Sequence, residues 1–213
     1  MKNTWYRIYI NEINEKGSII NYINDKIKTR KTIIKLIRKY SPNKKIIEAG
    51  SGTGILSTYL ASLGFDCLAI DIDKEILELS KKIAKEYNAT NKPTFKIDSI
   101  FKLKYNKDEF DVSFSNGVLE HFSDKEIINT LQIQMKIAKT VIIGIPTKYF
   151  DDNEAQYGDE RFLDIEYWRE LIKKAGGHIL EEKSCHFLTK PMILFNFKKY
   201  FRPYPYRIFV IQK

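Results

Sequence analysis

Apolar and polar positions along this chain switch repeatedly between two periods. Short runs rich in β-branched residues read as strands: Lys45-Ile-Ile-Glu-Ala49, Cys67-Leu-Ala-Ile-Asp71, Thr94-Phe-Lys-Ile97, Phe110-Asp-Val-Ser-Phe-Ser115 and Thr140-Val-Ile-Ile-Gly-Ile145. Between them, apolar residues recur at helical spacing. Ile55, Leu56, Tyr59, Leu60 and Leu63 share one face, and Ile76, Leu77, Leu79 and Ile83 share another behind a cap at Asp73. Ser123-Asp-Lys-Glu126 has the spacing of a capping box, in which hydroxyl and carboxylate satisfy the first helical N–H groups, and it predicts a helix to about Lys139. Five strand–helix alternations, with most strands apolar on both faces, require a parallel sheet covered on both sides. Right-handed crossovers make that a doubly wound α/β sandwich.

The last quarter of the chain follows another rhythm. Asp164 caps a helix over Ile165 to Ala175, which Gly176 can end in a left-handed turn. A strand at about His178 to Lys183 and a second at Tyr206-Arg-Ile-Phe-Val-Ile-Gln212 predict an antiparallel pair at one sheet edge. The first 40 residues read as helical segments ahead of the sheet, and residues 184–205 as a helical, aromatic insertion before the last strand. No repeat or Gly/Ser/Pro-rich linker divides the chain, so residues 1–213 are expected to form a single domain.

Composition narrows the classes. With 43% hydrophobic residues in 213, general disorder is excluded. The net charge of +9 permits contact with nucleic acid or another anion, but Lys is spread from end to end, as a solvated surface would have it. Cys67 and Cys185 form no C-x-x-C pair, and His121, His178 and His186 lack ligand spacing, so neither a disulfide framework nor a metal site is expected. The start lacks the apolar core of a secretory signal and no apolar run reaches membrane length; the chain reads as cytoplasmic. Nothing in the sequence sets an oligomeric state.

The chemistry concentrates in Ile46-Ile-Glu-Ala-Gly-Ser-Gly-Thr-Gly54, a buried strand running into alternate glycines and then a helix. Glycine permits a tight turn and leaves the main-chain N–H groups bare for a ligand, at the carboxyl end of the first strand, where open parallel sheets bind. Asp71, about 20 residues further on, ends the next strand, where a carboxylate can accept hydrogen bonds from ribose hydroxyls. Together these predict a nucleoside site. A dinucleotide fingerprint would place its third glycine where Ile55 stands, which disfavours an NAD-dependent oxidoreductase.

The pattern Glu48-x-Gly-x-Gly-x-Gly54 resembles the first motif of the class I S-adenosylmethionine-dependent methyltransferases. Leu68-Ala-Ile-Asp71 is similar to their second motif and Ile97-Asp98-Ser99 to their third. Phe110-Asp-Val-Ser-Phe-Ser-Asn-Gly-Val-Leu-Glu-His-Phe122 resembles the fourth-strand segment of the small-molecule branch. Ala175-Gly-Gly-His178 and the terminal strand match the family's late elements. The resemblance, which leaves out residues 184–205, implies a Rossmann-like seven-stranded sheet over residues 44–213, mostly parallel with an antiparallel last strand and helices on both faces; outside it, residues 1–40, bearing Trp5, Tyr6, Tyr9 and Tyr22, are read as a lid. It implies S-adenosylmethionine as cofactor, giving S-adenosylhomocysteine, and no metal. Gly50, Ser51, Gly52 and Gly54 would floor its methionine and ribose, Glu48 would orient that loop, and Asp71 would bind the ribose. Ile72 would pack on the adenine, Asp98 and Ser99 would meet its edge, and Asn116, Gly117 and Val118 would lie beside the sulfonium.

For an acceptor that must lose a proton, His121 is the first candidate base, because it follows the fourth strand and titrates near neutrality. Tyr157, with Tyr149 and Glu160, falls in the polar loop after the fifth strand, where a substrate wall is expected. The expected activity is methyl transfer to an oxygen or nitrogen of a small-molecule acceptor. No Asn/Asp-Pro-Pro-Tyr/Phe follows the fourth strand, which separates the chain from enzymes that methylate exocyclic amines of bases or glutamine amides. The basic charge keeps an RNA or tRNA methyltransferase as the alternative, and a non-catalytic S-adenosylmethionine-binding protein as a further one.

Overall fold

A computed structural model describes residues 4–88, 90–150, 159–185 and 206–213. Three helices lead: α1 (Thr4–Glu15), α2 (Ile19–Thr29) and α3 (Lys31–Tyr40). Then come β1 (Lys45–Ala49), α4 (Ile55–Ser62), β2 (Asp66–Asp71), α5 (Lys74–Glu86), β3 (Thr94–Ile97) and β4 (Phe110–Asn116). A 3-10 turn at Leu119–His121 leads to α6 (Asp124–Ile137), β5 (Ala138–Pro146), α7 (Ile165–Lys174), β6 (His178–Cys185) and β7 (Tyr206–Gln212).

The strands form one sheet in the order β3-β2-β1-β4-β5-β7-β6. The first five run parallel, and β7 lies antiparallel to both β5 and β6. The order reverses between β1 and β4, so a crevice opens beyond the carboxyl ends of these two strands. Both sheet faces are dry. α3 and α4 pack Ile33, Ile37, Leu56 and Leu60 on one, with Phe114 and Val210 of the sheet. α6 and α7 pack Ile127, Leu131, Trp168 and Leu171 on the other, with Val141 and Phe209. α1 and α2 join the first face through Ile13, Tyr22 and Ile23, which meet Ile55, Leu79 and Ile83.

The caps are those the sequence predicts. The Asp73 side chain accepts from Ile76 N at 3.0 Å, Ser123 and Glu126 make the reciprocal capping box, and Asp164 caps α7. Two boundaries move. α6 stops at Ile137, because Ala138 already has extended backbone (φ −133°, ψ 149°) and Lys139 belongs to β5 rather than to the helix. Ser184 and Cys185 extend β6, where they pair with Arg207 and Tyr206, instead of opening the insertion. Residues 186–205 of that insertion lie outside the described residues. Cys67 and Cys185 are both buried free thiols, and no described helix is long and apolar enough to cross a membrane.

Candidate cofactor and acceptor site

The crevice is a cavity of about 730 Å³ at the sheet's carboxyl end, bounded by the β1 and β2 loops, the β4 turn, α1, α2 and the segment before α7. Its floor is the predicted glycine loop, of which Gly50, Ser51 and Gly52 line the cavity while Gly54 packs against Phe95 and Ser80 instead. Gly50, Gly52 and Gly54 have φ of +74°, +52° and +63°, which L side chains rarely adopt, so the alternate glycines answer a backbone demand. The loop is anchored to β2: Gly50 N and Ser51 N both donate to Ile70 O, at 3.0 and 2.8 Å. A Cβ on Gly52 would lie 2.6 Å from the Tyr9 hydroxyl, which shows how closely α1 covers the loop.

Two acids brace this end. Asp71 Oδ2 accepts from Gly52 N (2.9 Å) and Oδ1 from Asp73 N (3.1 Å). Burial raises its pKa while these main-chain bonds oppose the rise. Glu48 is 5% exposed, and its Oε2 accepts from Ser57 N (3.1 Å) and Ser57 Oγ (2.6 Å) at the start of α4. Burial pushes its carboxyl up to about 7 against those bonds. Beside Asp71, Ile72 is 73% exposed although apolar, a side chain left facing the cavity mouth. Asp98 and Ser99 join the same wall; Asp98 N reaches Asp71 O at 3.1 Å, and Asp98 pairs with Lys96 at 2.8 Å. Asn116, Gly117 and Val118 line the cavity from the end of β4, and Val118 sits over the Cα of Gly50.

The groups fit the nucleoside and methionine of S-adenosylmethionine: bare main chain, a braced carboxylate at the second strand and an exposed aliphatic surface next to it. Arg30, at the junction of α2 and α3, also lines the cavity, and its positive charge is felt by both Glu48 and Tyr9. Sequence reading missed Arg30, since its only signal was a cation between two helices.

At the other end, His121 stands on the 3-10 turn with Nδ1 2.6 Å from Asp159 Oδ1 and its ring edge-on to Trp5 at 5.3 Å between centroids. Glu160 is brought to the same wall. Tyr149 does not line the cavity, and Tyr157 lies outside the described residues. His178 begins β6 at the amino end of the sheet, opposite His121, so these two histidines cannot share a metal. Among the described residues no group of three or more His, Cys, Asp or Glu side chains is placed to hold one.

The residue that sequence reading passed over is Glu120. It lines the cavity at 4% exposure, and its Oε2 has no hydrogen-bond partner among the described residues. Burial, reinforced by the charges of Glu160 and Asp159, pushes its carboxyl up to about 8. Its signal was an acid inside the apolar run Val118-Leu-Glu-His-Phe122, overshadowed by the neighbouring histidine. Although the whole chain is basic, the cavity is acidic: Glu12, Asp25, Glu48, Asp71, Asp73, Asp98, Glu120, Asp159 and Glu160 line it against the basic side chains Lys26 and Arg30.

Comparison with known proteins agrees with this geometry. Residues 40–183 match a family model described as a methyltransferase domain. The ribosomal protein L11 methyltransferase of Campylobacter lari (strain RM2100) is 26% identical over 148 residues, 68% of this chain; the chain matches only half the length of that relative. Magnesium protoporphyrin IX methyltransferase from Synechocystis, solved with bound S-adenosylhomocysteine, superposes with a TM-score of 0.70 at 19% identity, covering 99% of this chain and 93% of that one. The [4+2]-cyclase SpnF shares the fold as well, with a TM-score of 0.63 at 16% identity over 85% of this chain and 80% of its own. The glycine loop, the acid ending β2, the seven-stranded order and the match across residues 40–183 place this chain in the methyltransferase-domain family, of the class I S-adenosylmethionine-dependent kind.

Proposed function

We propose that the protein transfers a methyl group from S-adenosylmethionine to an oxygen or nitrogen of a small-molecule acceptor. The observation that carries this reading is a single cavity with two chemically distinct ends, a main-chain floor beside Asp71 and a walled end beside Glu120 and His121. Bound at the first end, S-adenosylmethionine supplies a sulfonium methyl already activated for displacement. The chain's contribution is alignment, which can supply about 7–11 kcal/mol of the barrier. Gly50, Ser51 and Gly52 form the floor, Asp71 takes the ribose and Ile72 covers the adenine. Asp98 and Ser99 meet the adenine edge, Asn116 to Val118 face the sulfonium, and Arg30 pairs with the methionine carboxylate.

The acidic lining favours a small acceptor over a polyanion, because phosphates drawn toward this cavity would meet carboxylates. The fold alone does not decide the reaction, since the same architecture serves a cyclase. The test is calorimetric binding of S-adenosylhomocysteine followed by radiolabelled methyl transfer into a metabolite extract and, separately, an RNA pool. Label in the metabolite fraction is expected. Label only in RNA supports the RNA or tRNA methyltransferase, and cofactor binding with label in neither supports a non-catalytic binding protein.

A further inference from the structure

We propose that the acceptor is an amine which enters as an ammonium ion, and that the Glu120 carboxylate binds it and takes its proton. This rests on the methyl-transfer reading and names the substrate class of that site. Glu120 is held where an acceptor must come, on the turn after β4, with Oε1 only 3.6 Å from where a Cβ on Gly117 would lie. Glu120 lines the cavity, and its Oε2 is buried beneath that wall and lacks a donor among the described residues. The nearby Tyr206 hydroxyl gives its hydrogen to Gly144 O at 2.9 Å, so it does not serve Glu120. A buried acceptor atom without a donor is costly, and a ligand that brings an N–H removes the cost.

Charge selects among donors. Asp159 and Glu160, on the segment before α7, face the same turn and both act to keep Glu120 protonated. An anionic acceptor would add to that repulsion, an alcohol would leave it untouched, and an ammonium ion relieves it. Trp5, Phe150 and Phe162 complete the wall, and aromatic faces attract cations. The proton step balances simply: an N–H bond breaks, an O–H bond forms on Glu120, and the electron pair stays on nitrogen as the nucleophile. The proton then passes from Glu120 to water.

The groups facing Glu120 are Asp159 and Glu160 from the loop and Tyr206 from β7. With its carboxyl at about 8, Glu120 is largely protonated at neutral pH, so a bound ammonium must expel that proton. The experiment titrates the full chain, with and without S-adenosylhomocysteine, with phenethylamine, 2-phenylethanol and phenylacetate, which share a body and differ in charge. The amine is expected to bind about tenfold or more tightly than the alcohol, with phenylacetate weakest. Calorimetry in buffers of different ionisation enthalpy is expected to show proton release with the amine alone. Glu120→Gln should bring amine affinity down to that of the alcohol while S-adenosylhomocysteine affinity stays within about twofold. The proton-release measurement needs no variant, so it stands even if Glu120→Gln misfolds. Equal binding of the three probes, binding of none, or an amine preference that survives Glu120→Gln overturns the proposal. Loss of S-adenosylhomocysteine binding by the unaltered protein would instead overturn the reading beneath it.

Discussion

At the glycine-loop end of the cavity, Asp71 has an oxygen on each of two main-chain donors, Gly52 N and Asp73 N, and Glu48 is held by Ser57. At the opposite end Glu120 is as buried as Glu48, yet its Oε2 has no donor at all among the described residues. The two ends therefore treat a buried carboxylate in opposite ways. In the first, the acid belongs to the framework and shapes the loop before any ligand arrives. In the second, the desolvation is left unrelieved, and a ligand carrying hydrogen and positive charge has most to gain there.

The largest effect that separates the ends is a pH dependence. Glu120 titrates near 8 in the folded chain against 4.5 for an ordinary glutamate. Between those values the folded state holds a proton that the unfolded state has lost, so the stabilisation present at acid pH fades as pH rises through about 8. Glu120→Gln does not titrate and escapes that loss. The stability difference, variant minus unaltered protein, should grow from acid pH to above about 8, bounded at a few kcal/mol. Glu48, near 7, titrates in both proteins and cancels. Urea unfolding across this range is the measurement, and a difference that stays flat would mean the two ends do not differ as described.

Next in size is Asp71→Ala. Loss of charge-assisted hydrogen bonds to the ribose should weaken S-adenosylhomocysteine binding by about 1.5–3 kcal/mol, roughly 10- to 150-fold. Because the side chain also serves Gly52 N and Asp73 N, the variant should in addition lose about 1–3 kcal/mol of stability. Glu120→Ala should leave that affinity near its starting value. Calorimetry on both variants would erase the contrast if Glu120→Ala cost the cofactor as much as Asp71→Ala.

The same division explains what could be read from the sequence. Strand, glycine turn, helix and the acid of β2 are consecutive elements, so the floor from Glu48 to Asp71 follows from local spacing. The acceptor end is built from segments far apart in the chain: Trp5 on α1, Glu120 on the β4 turn, Phe150 after β5, and Phe162 before α7. No periodicity joins those positions; only the packing of α1 over the loop and of the 159–163 segment against the turn does. The α6–β5 junction shows a related limit. Lys139 suits either period, and it is the pairing of Ala138 with Phe110 that settles it as strand.

Arg161 offers the smallest and most selective test. Its main-chain N–H donates to Glu120 O at 2.8 Å, and its guanidinium donates to Phe122 O at 2.6 Å and Asp124 Oδ1 at 2.7 Å. Arg161→Ala keeps the first bond and removes the other two, so the wall stays joined to the turn through Glu120 O and the His121–Asp159 contact but loses its guanidinium brace. With the ion pair about one-third exposed on both sides, stability should fall by only about 1 kcal/mol. Phenethylamine affinity should drop by about two- to fivefold, while S-adenosylhomocysteine affinity does not move, because no bond of Arg161 reaches the glycine loop. Equal losses for the two ligands would show that the ends move as one mechanical unit, and their different handling of Asp71 and Glu120 would then carry no functional meaning.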